Sequence, residues 1–374
     1  MDSTSRWLTL VATPGLGPIT LKRLIQRAGS PDRLLRAPVD QLTNWGLPTA
    51  ARAWLRRPNL ARIAEQRAQL AEIGARLISL SDPAYPPLLK EIPDAPLVLF
   101  VRGDKSLLTG PQLAIVGSRN PSPGGRETAA ELAFAACKAG FMITSGLATG
   151  IDAAAHKGAL EAGGPTAAVM GTGPERIYPA AHRRLAEHIL QCGVLLTEFP
   201  PGVGPQRQNF PRRNRIISGM SRGTLVVEAA LASGSLITAR LAGEQGREVL
   251  AVPGSVNNPV ARGCHRLIRE GARLVESIED VLEELGFLAL GQAPSSVSAA
   301  ADSPELSDPE SLQLLKFIGF DPVFPDQLVE LSGLTADAVC SILFSLELKG
   351  IIESTPGGAF VRVSKRPFNE RKRS

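Results

Sequence analysis

The chain has 374 residues, and at roughly 150 residues per domain this length allows two to three domains. Hydrophobic residues make up 44% and charged residues 21%, close to globular averages, which excludes general disorder, collagen-like structure and coiled coil. The net charge of +5 is modest for a nucleic-acid binder, and it is unevenly spread. Residues 1 to 110 hold 15 basic against 9 acidic groups, 111 to 286 hold 18 against 16, 287 to 364 hold 3 against 10, and 365 to 374 hold 5 against 1. Such a profile presents a basic N-terminal half to a polyanion and keeps an acidic C-terminal module away from it.

In chain order, residues 7 to 70 read as short helices punctuated by Pro, Gly and Asn. They predict an N-terminal helical domain over 1 to 74, SAM-like or helix-hairpin-helix-like. Pro14-Gly15-Leu16-Gly17-Pro18 resembles the hairpin of such an element, whose glycines would bare N–H groups to a DNA phosphate, with Lys22 and Arg23 behind them. A purely structural helical hairpin fits the same residues. Residues 75 to 110, with prolines and short β-prone runs, predict an extended connector packed on the next domain.

From 111 to 286, the runs LAIVG, FMITSG, TAAVMG, GVLLTE, GTLVVEA, EVLAVPG and ARLVES alternate with helical patterns. Continuous apolar strands separated by helices predict an α/β fold, a Rossmann-like doubly wound parallel sheet covered on both faces. Residues 287 to 308, rich in Ala, Ser and Pro, read as a flexible linker. Three helical patterns and a hairpin turning at Gly357 and Gly358 predict a winged-helix domain over 309 to 364, followed by a basic tail over 365 to 374.

The cysteines Cys137, Cys192, Cys264 and Cys340 form no CxxC or Cys/His cluster, so neither a metal nor a disulfide framework is expected, and no cofactor is. No apolar run approaches the length of a membrane span and no secretory pattern opens the chain, so a cytoplasmic protein is expected.

Ligands of open α/β sheets bind beyond the carboxyl ends of the strands. There the first strand ends in Gly117-Ser118-Arg119, the second runs from Ser145-Gly146 to Gly150-Ile151-Asp152, and the third ends in Gly171-Thr172-Gly173. Glycines in three converging loops would let backbone N–H groups approach a phosphate. Neither GxGxxG nor GxxxxGK with Ser or Thr is present, so NAD-dependent hydride transfer and P-loop hydrolysis lack support. The densest charge feature is QRQNFPRRNR at 206 to 215, with Arg207, Arg212, Arg213 and Arg215 around Phe210. Arginine forks take phosphates, and an aromatic face stacks an unpaired base for about 1–3 kcal/mol irrespective of sequence. Asp152 and His156, one helical turn apart, read better as a local cap or packing pair than as triad members with Ser145. Glu198 and Glu228 are expected to end neighbouring strands, as paired carboxylates or as partners of arginines such as Arg215.

The stretches IVGSR at 115 to 119, SGLATGIDAAAH at 145 to 156, GTGPERIYPAAHRRL at 171 to 185, FPRRNRIISGMSRGTLVVEA at 210 to 229 and SGSLITA at 233 to 239 together resemble the DprA/Smf family, bacterial DNA-processing proteins of natural transformation. The resemblance implies a recombination mediator that binds single-stranded DNA without sequence preference, forms a homodimer, loads the RecA recombinase onto incoming strands and turns over no substrate. It implies a strand-binding pocket at Arg119, Phe210, Arg212, Arg213, Asn214 and Arg215. The loop reading adds Gly117, Ser118, Gly146, Arg207 and Asn209. Where some members carry a basic residue after the YP pair this chain has Ala180, with Arg183 and Arg184 close behind. The rival expectation is a nucleotide-processing enzyme that hydrolyses N-glycosidic bonds on a related fold. SRGTLVVEAALASGS matches only part of the PGGxGT-type loop that such enzymes place before a catalytic Glu.

Overall fold

A computed structural model of the protein describes residues 2 to 286, 308 to 319, 322 to 355 and 357 to 362; the basic tail and nearly all of the expected linker lie outside the described residues. The N-terminal part is six short helices: α1 (Ser3–Val11), α2 (Pro18–Ala28), α3 (Pro31–Arg36), α4 (Val39–Asn44), α5 (Thr49–Arg56) and α6 (Leu60–Glu72). Their boundaries follow local chemistry. The Asp2 side chain caps α1 by accepting from Ser5 N–H, and α2 opens on Pro18 and stops at Gly29, whose φ is 86°. The helices bury Trp7, Leu8, Leu21, Leu34, Leu42 and Ile63 around one core.

The remaining elements before the C-terminal module are β1 (Arg76–Ser79), α7 (Pro87–Glu91), β2 (Val98–Gly103), β3 (Gln112–Gly117), α8 (Pro123–Lys138), β4 (Met142–Ser145), α9 (Ile151–Glu161), β5 (Thr166–Val169), α10 (Arg183–Cys192), β6 (Val194–Thr197), α11 (Asn209–Met220), β7 (Gly223–Val227), α12 (Ser235–Glu244), β8 (Glu248–Ala251), α13 (Arg262–Arg269), β9 (Arg273–Leu274) and α14 (Ile278–Glu284). All nine strands join one sheet in the order β1-β2-β6-β5-β4-β3-β7-β8-β9. Every pairing among β3 to β9 is parallel. The expectation of a wholly parallel sheet needs one correction: β2 runs antiparallel to β6, with Phe100 opposite Thr197, and β1 antiparallel to β2. The expected connector is therefore partly sheet. The prolines between 83 and 96 break the segment, and the apolar run that follows covers the open edge of β6, burying Val98 to Val101.

Side chains alternate along the strands to serve two layers. In β3, Leu113 and Ile115 face α8 and α9, while Ala114 and Val116 face the layer of α7 and α11 to α13. Burial on both faces is why these strands read as unbroken apolar runs. The chain winds outward from β3 through β4, β5 and β6, then returns to place β7 on the other side of β3. The switch point of the sheet thus lies between β3 and β7, and it opens a crevice at their carboxyl ends.

The C-terminal module contains α15 (Pro309–Leu315), α16 (Pro325–Ser332), α17 (Ala336–Leu348) and a hairpin of β10 (Ile352–Ser354) and β11 (Phe360–Arg362). Leu314, Ile318, Leu328, Val339, Leu343 and Leu346 form its core. Gly357 and Gly358 turn the hairpin with φ of 109° and 82°, a conformation that suits glycine. This is the arrangement of a winged helix.

Candidate nucleic-acid interface

The crevice at the switch point has a volume of about 700 Å³ and is lined by Ser118, Arg119, Tyr178, Arg207, Phe210 and Asn214 among others. Phe210 sits in the first turn of α11, half-buried, with its ring against the backbone of Gly171. A Cβ at Gly171 would stand 2.9 Å from the ring, so the glycine that ends the third motif is what admits it. The Arg119 guanidinium lies 6.0 Å from the centre of the Phe210 ring, and Tyr178 lies 5.5 Å from it at 43°. An exposed cation and two aromatic rings therefore share one wall, the combination that grips a stacked base and its phosphate.

The arginine run divides. Arg207 and Arg212 are exposed, and Arg212 lies 5.3 Å over the Phe199 ring while one of its nitrogens donates to Glu198 at 2.9 Å. Arg213 and Arg215 are not at the surface. Arg215 donates to both oxygens of Glu198, at 3.0 and 2.9 Å, and its Nε reaches Asp94 at 2.8 Å. Arg213 donates to the carbonyls of Gly146 and Val169 and to Asn214 Oδ1. Burial lowers the Arg213 pKa to about 10, against the opposing pull of the Asp152 charge. Asn209 is buried too, its amide donating to the Gly171 carbonyl at 3.1 Å. Of the eleven residues singled out in the sequence, Arg213, Arg215 and Asn209 thus have their polar groups turned into the fold. Their bonds set the position of α11, and Arg213 also lines the crevice.

The loops carry a second correction. Their N–H groups were expected to point at a phosphate, yet most are engaged inside the protein. Gly146 and Ala148 donate to Asp152 Oδ2 at 3.1 and 3.3 Å, Ser118 donates to the Glu228 carbonyl at 2.7 Å, and Gly173 donates to the Val203 carbonyl at 2.8 Å. Gly117 and Gly146 serve close packing: a side chain at either would strike the Val227 carbonyl or the Arg213 guanidinium. The exposed cations that line the crevice are Arg119 and Arg207.

No nucleophile–base pair emerges from the tempting residues. Ser145 Oγ donates to the Ile115 carbonyl at 2.7 Å and His156 Nδ1 lies 2.7 Å from Thr166 Oγ1. Burial drives the His156 pKa down to about 3 and raises that of Asp152, which Arg213 and the loop N–H groups oppose. Glu198 and Glu228 do not end neighbouring strands, because β5, β4 and β3 stand between β6 and β7; Glu198 is tied to arginines, and Glu228 to Ser122, from whose N–H and hydroxyl it accepts at 2.7 and 2.5 Å. Among the described residues no group of three or more His, Cys, Asp or Glu side chains could hold a metal ion. No single described helix is long and apolar enough to cross a membrane.

Sequence reasoning missed Tyr178, although it stands inside the GTGPERIYP stretch, and it missed Ser233 and Ser235 on the far wall. An aromatic residue seven positions beyond the third strand-end glycine was the available signal for the first. Arg183 and Arg184 are exposed at the start of α10.

The chain is similar to several known proteins. A family model described as DNA recombination-mediator protein A matches residues 76 to 286, and one described as the DprA winged helix domain matches 298 to 358. Protein Smf of Escherichia coli is 44% identical over 299 residues, 79% of each chain, and the DNA processing protein DprA of Bacillus subtilis is 46% identical over 229 residues, 61% of this chain and 76% of its own. The crystal structure of DprA from Streptococcus pneumoniae superimposes with a TM-score of 0.68 at 38% identity, covering 76% of this chain and 99% of that one. A Helicobacter pylori DNA processing protein A, studied for its mode of single-stranded DNA binding, superimposes with a TM-score of 0.51 at 29% identity, covering 56% and 95%.

Proposed function

This chain belongs to the DprA/Smf family of DNA recombination mediators, and from that premise we propose that its switch-point crevice holds single-stranded DNA. The observation that carries the reading is the shared wall of Arg119, Phe210 and Tyr178, an exposed guanidinium beside two rings at the ligand edge of the sheet. A duplex hides its base faces, so such a wall selects an unpaired strand. One base stacks on Phe210, the flanking phosphates meet Arg119 and Arg207, and no base edge is read, which makes binding indifferent to sequence. The Helicobacter pylori relative binds single-stranded DNA, which supports the same assignment here.

The buried residues act by positioning. Arg213 ties α11 to the loops after β4 and β5, and Arg215 ties it to Glu198 and Asp94, so that Phe210 and Arg212 emerge at a fixed angle. We assign to the same protein the homodimeric state, the loading of RecA and the absence of substrate turnover that membership of the family implies. Its site of action is then wherever incoming strands meet the recombinase, in the cytoplasm.

Titration of single- and double-stranded oligonucleotides at several salt concentrations tests the reading. Single strands should bind far more tightly, with an affinity that falls as log salt rises by a slope of about −0.7 per phosphate met. Phe210→Ala should cost about 1–3 kcal/mol of binding with the slope kept, whereas Arg119→Ala should also flatten the slope by about one phosphate. Wild-type affinity in both variants would move the site elsewhere.

A further inference from the structure

In doubly wound folds, the N-terminus of the helix that follows the central strand is where a nucleotide phosphate ordinarily rests. Here the protein itself fills that place. Glu228 is the first residue beyond β7 and reaches across the switch point to the first turn of α8. Its two carboxylate oxygens accept from the N–H and the hydroxyl of Ser122, the cap residue of that helix. The carboxylate presses on bare backbone: any Cβ at Gly125 would collide with it. Asn258 Nδ2 approaches Oε1 at 3.5 Å. Holding this pose requires a φ of 49° at Glu228, a left-handed conformation that glutamate adopts reluctantly and glycine or asparagine readily. One loop away, Asp152 does the same for the N–H groups of Gly146 and Ala148.

A carboxylate accepting two hydrogen bonds over a glycine cradle at a helix N-terminus has the charge and the oxygen spacing of part of a phosphate. We propose that Glu228 is a specificity-determining residue, an internal anion that occupies the phosphate station of the fold and so turns away free phosphate. The crevice is left to anions that the exposed Arg119 and Arg207 can hold with the aromatic wall, which is to say a strand. The purpose of this arrangement rests on the strand-binding reading; the test does not, because it uses no DNA.

The full chain and three variants are melted in the presence of increasing inorganic phosphate. Glu228→Gly and Glu228→Asn vacate the cradle and tolerate the backbone conformation, whereas Glu228→Gln fills it. The wild type and Glu228→Gln should show no ligand-dependent change. Glu228→Gly and Glu228→Asn should each rise by about 2–4 °C once ligand exceeds its dissociation constant about tenfold. Two folded, unresponsive variants, with wild-type circular dichroism, would overturn the proposal and reduce Glu228 to a helix cap. A wild type stabilised by phosphate would overturn it as well. Should the variants respond while the wild type fails to bind single-stranded DNA, the internal anion stands and the strand-binding reading falls.

Discussion

The α11 wall of the crevice and the outer face of α17 are the two places where a doubly wound sheet and a winged helix, respectively, customarily meet nucleic acid. The first offers Arg119 beside the ring of Phe210, with Arg207 also exposed on the crevice. The second offers Asp337, Cys340, Ser341, Phe344 and Leu348, with Phe344 64% and Leu348 74% exposed and no cation on the stripe. A phosphate approaching α17 finds no donor fork and a net negative module, with 3 basic against 10 acidic residues between 287 and 364. Large apolar side chains flanked by acid suit a protein surface better than a polyanion. The lesson is that a fold's usual docking element has to be read residue by residue before a ligand is assigned to it.

The contrast is sharpest where the crevice is held from within. Arg215→Ala removes one partner of a buried charge cluster and leaves Glu198 facing only Arg212, so urea unfolding of the sheet should lose about 3–5 kcal/mol. A loss below about 1 kcal/mol would mean that the wall is not pinned by these arginines. Acid should separate the two regions next. All four histidines lie between 156 and 265, and His156 is buried with its pKa lowered from 6.5 to about 3. Between those values the unfolded chain takes up a proton that the folded sheet refuses, so this contribution is whole above pH 6.5 and is lost as pH falls, by up to about 1.4 kcal/mol per pH unit. His156→Asn should flatten the dependence of melting temperature on pH over that range, and an unchanged slope would place the acid sensitivity elsewhere. The smallest effect is expected from the opposite region. Deleting residues 287 to 374 should change single-stranded DNA affinity by less than about threefold, or about 0.6 kcal/mol. A tenfold loss would give the winged helix a direct share in strand binding.

Much of this was legible in one dimension, for identifiable reasons. Strands buried on both faces leave unbroken apolar runs, so β3 to β8 announce themselves, and the rule that ligands gather at strand ends directs attention to Gly117-Ser118-Arg119 and to the arginine run. The strands β1 and β2 were hidden because prolines between them suggest a segment without pairing, and only the open edge of β6 decides otherwise. The inward arginines were hidden for a different reason: a dense run of charge does not reveal which members face water. Helical spacing held the clue for Arg213, since Asn209, Arg213, Ile216, Ile217 and Met220 fall on one face of α11 and all are buried, whereas Arg215 lies off that face and is buried by its pairing with Glu198 and Asp94. The internal carboxylates were the hardest to foresee, because Glu228 and Ser122 lie 106 positions apart and meet only when β7 is laid beside β3.

The strand β2 has one more consequence. Val98 and Phe100 belong to the core of the N-terminal helices, whereas the intervening Leu99, and Val101 after it, belong to the core beneath the sheet. A single strand is therefore a party wall between two hydrophobic interiors, each of which needs it to be complete. Cutting the chain after Gly74 would strip one side of that wall and leave Val98 and Phe100 facing water, so the helical cap and the sheet should unfold as one cooperative unit.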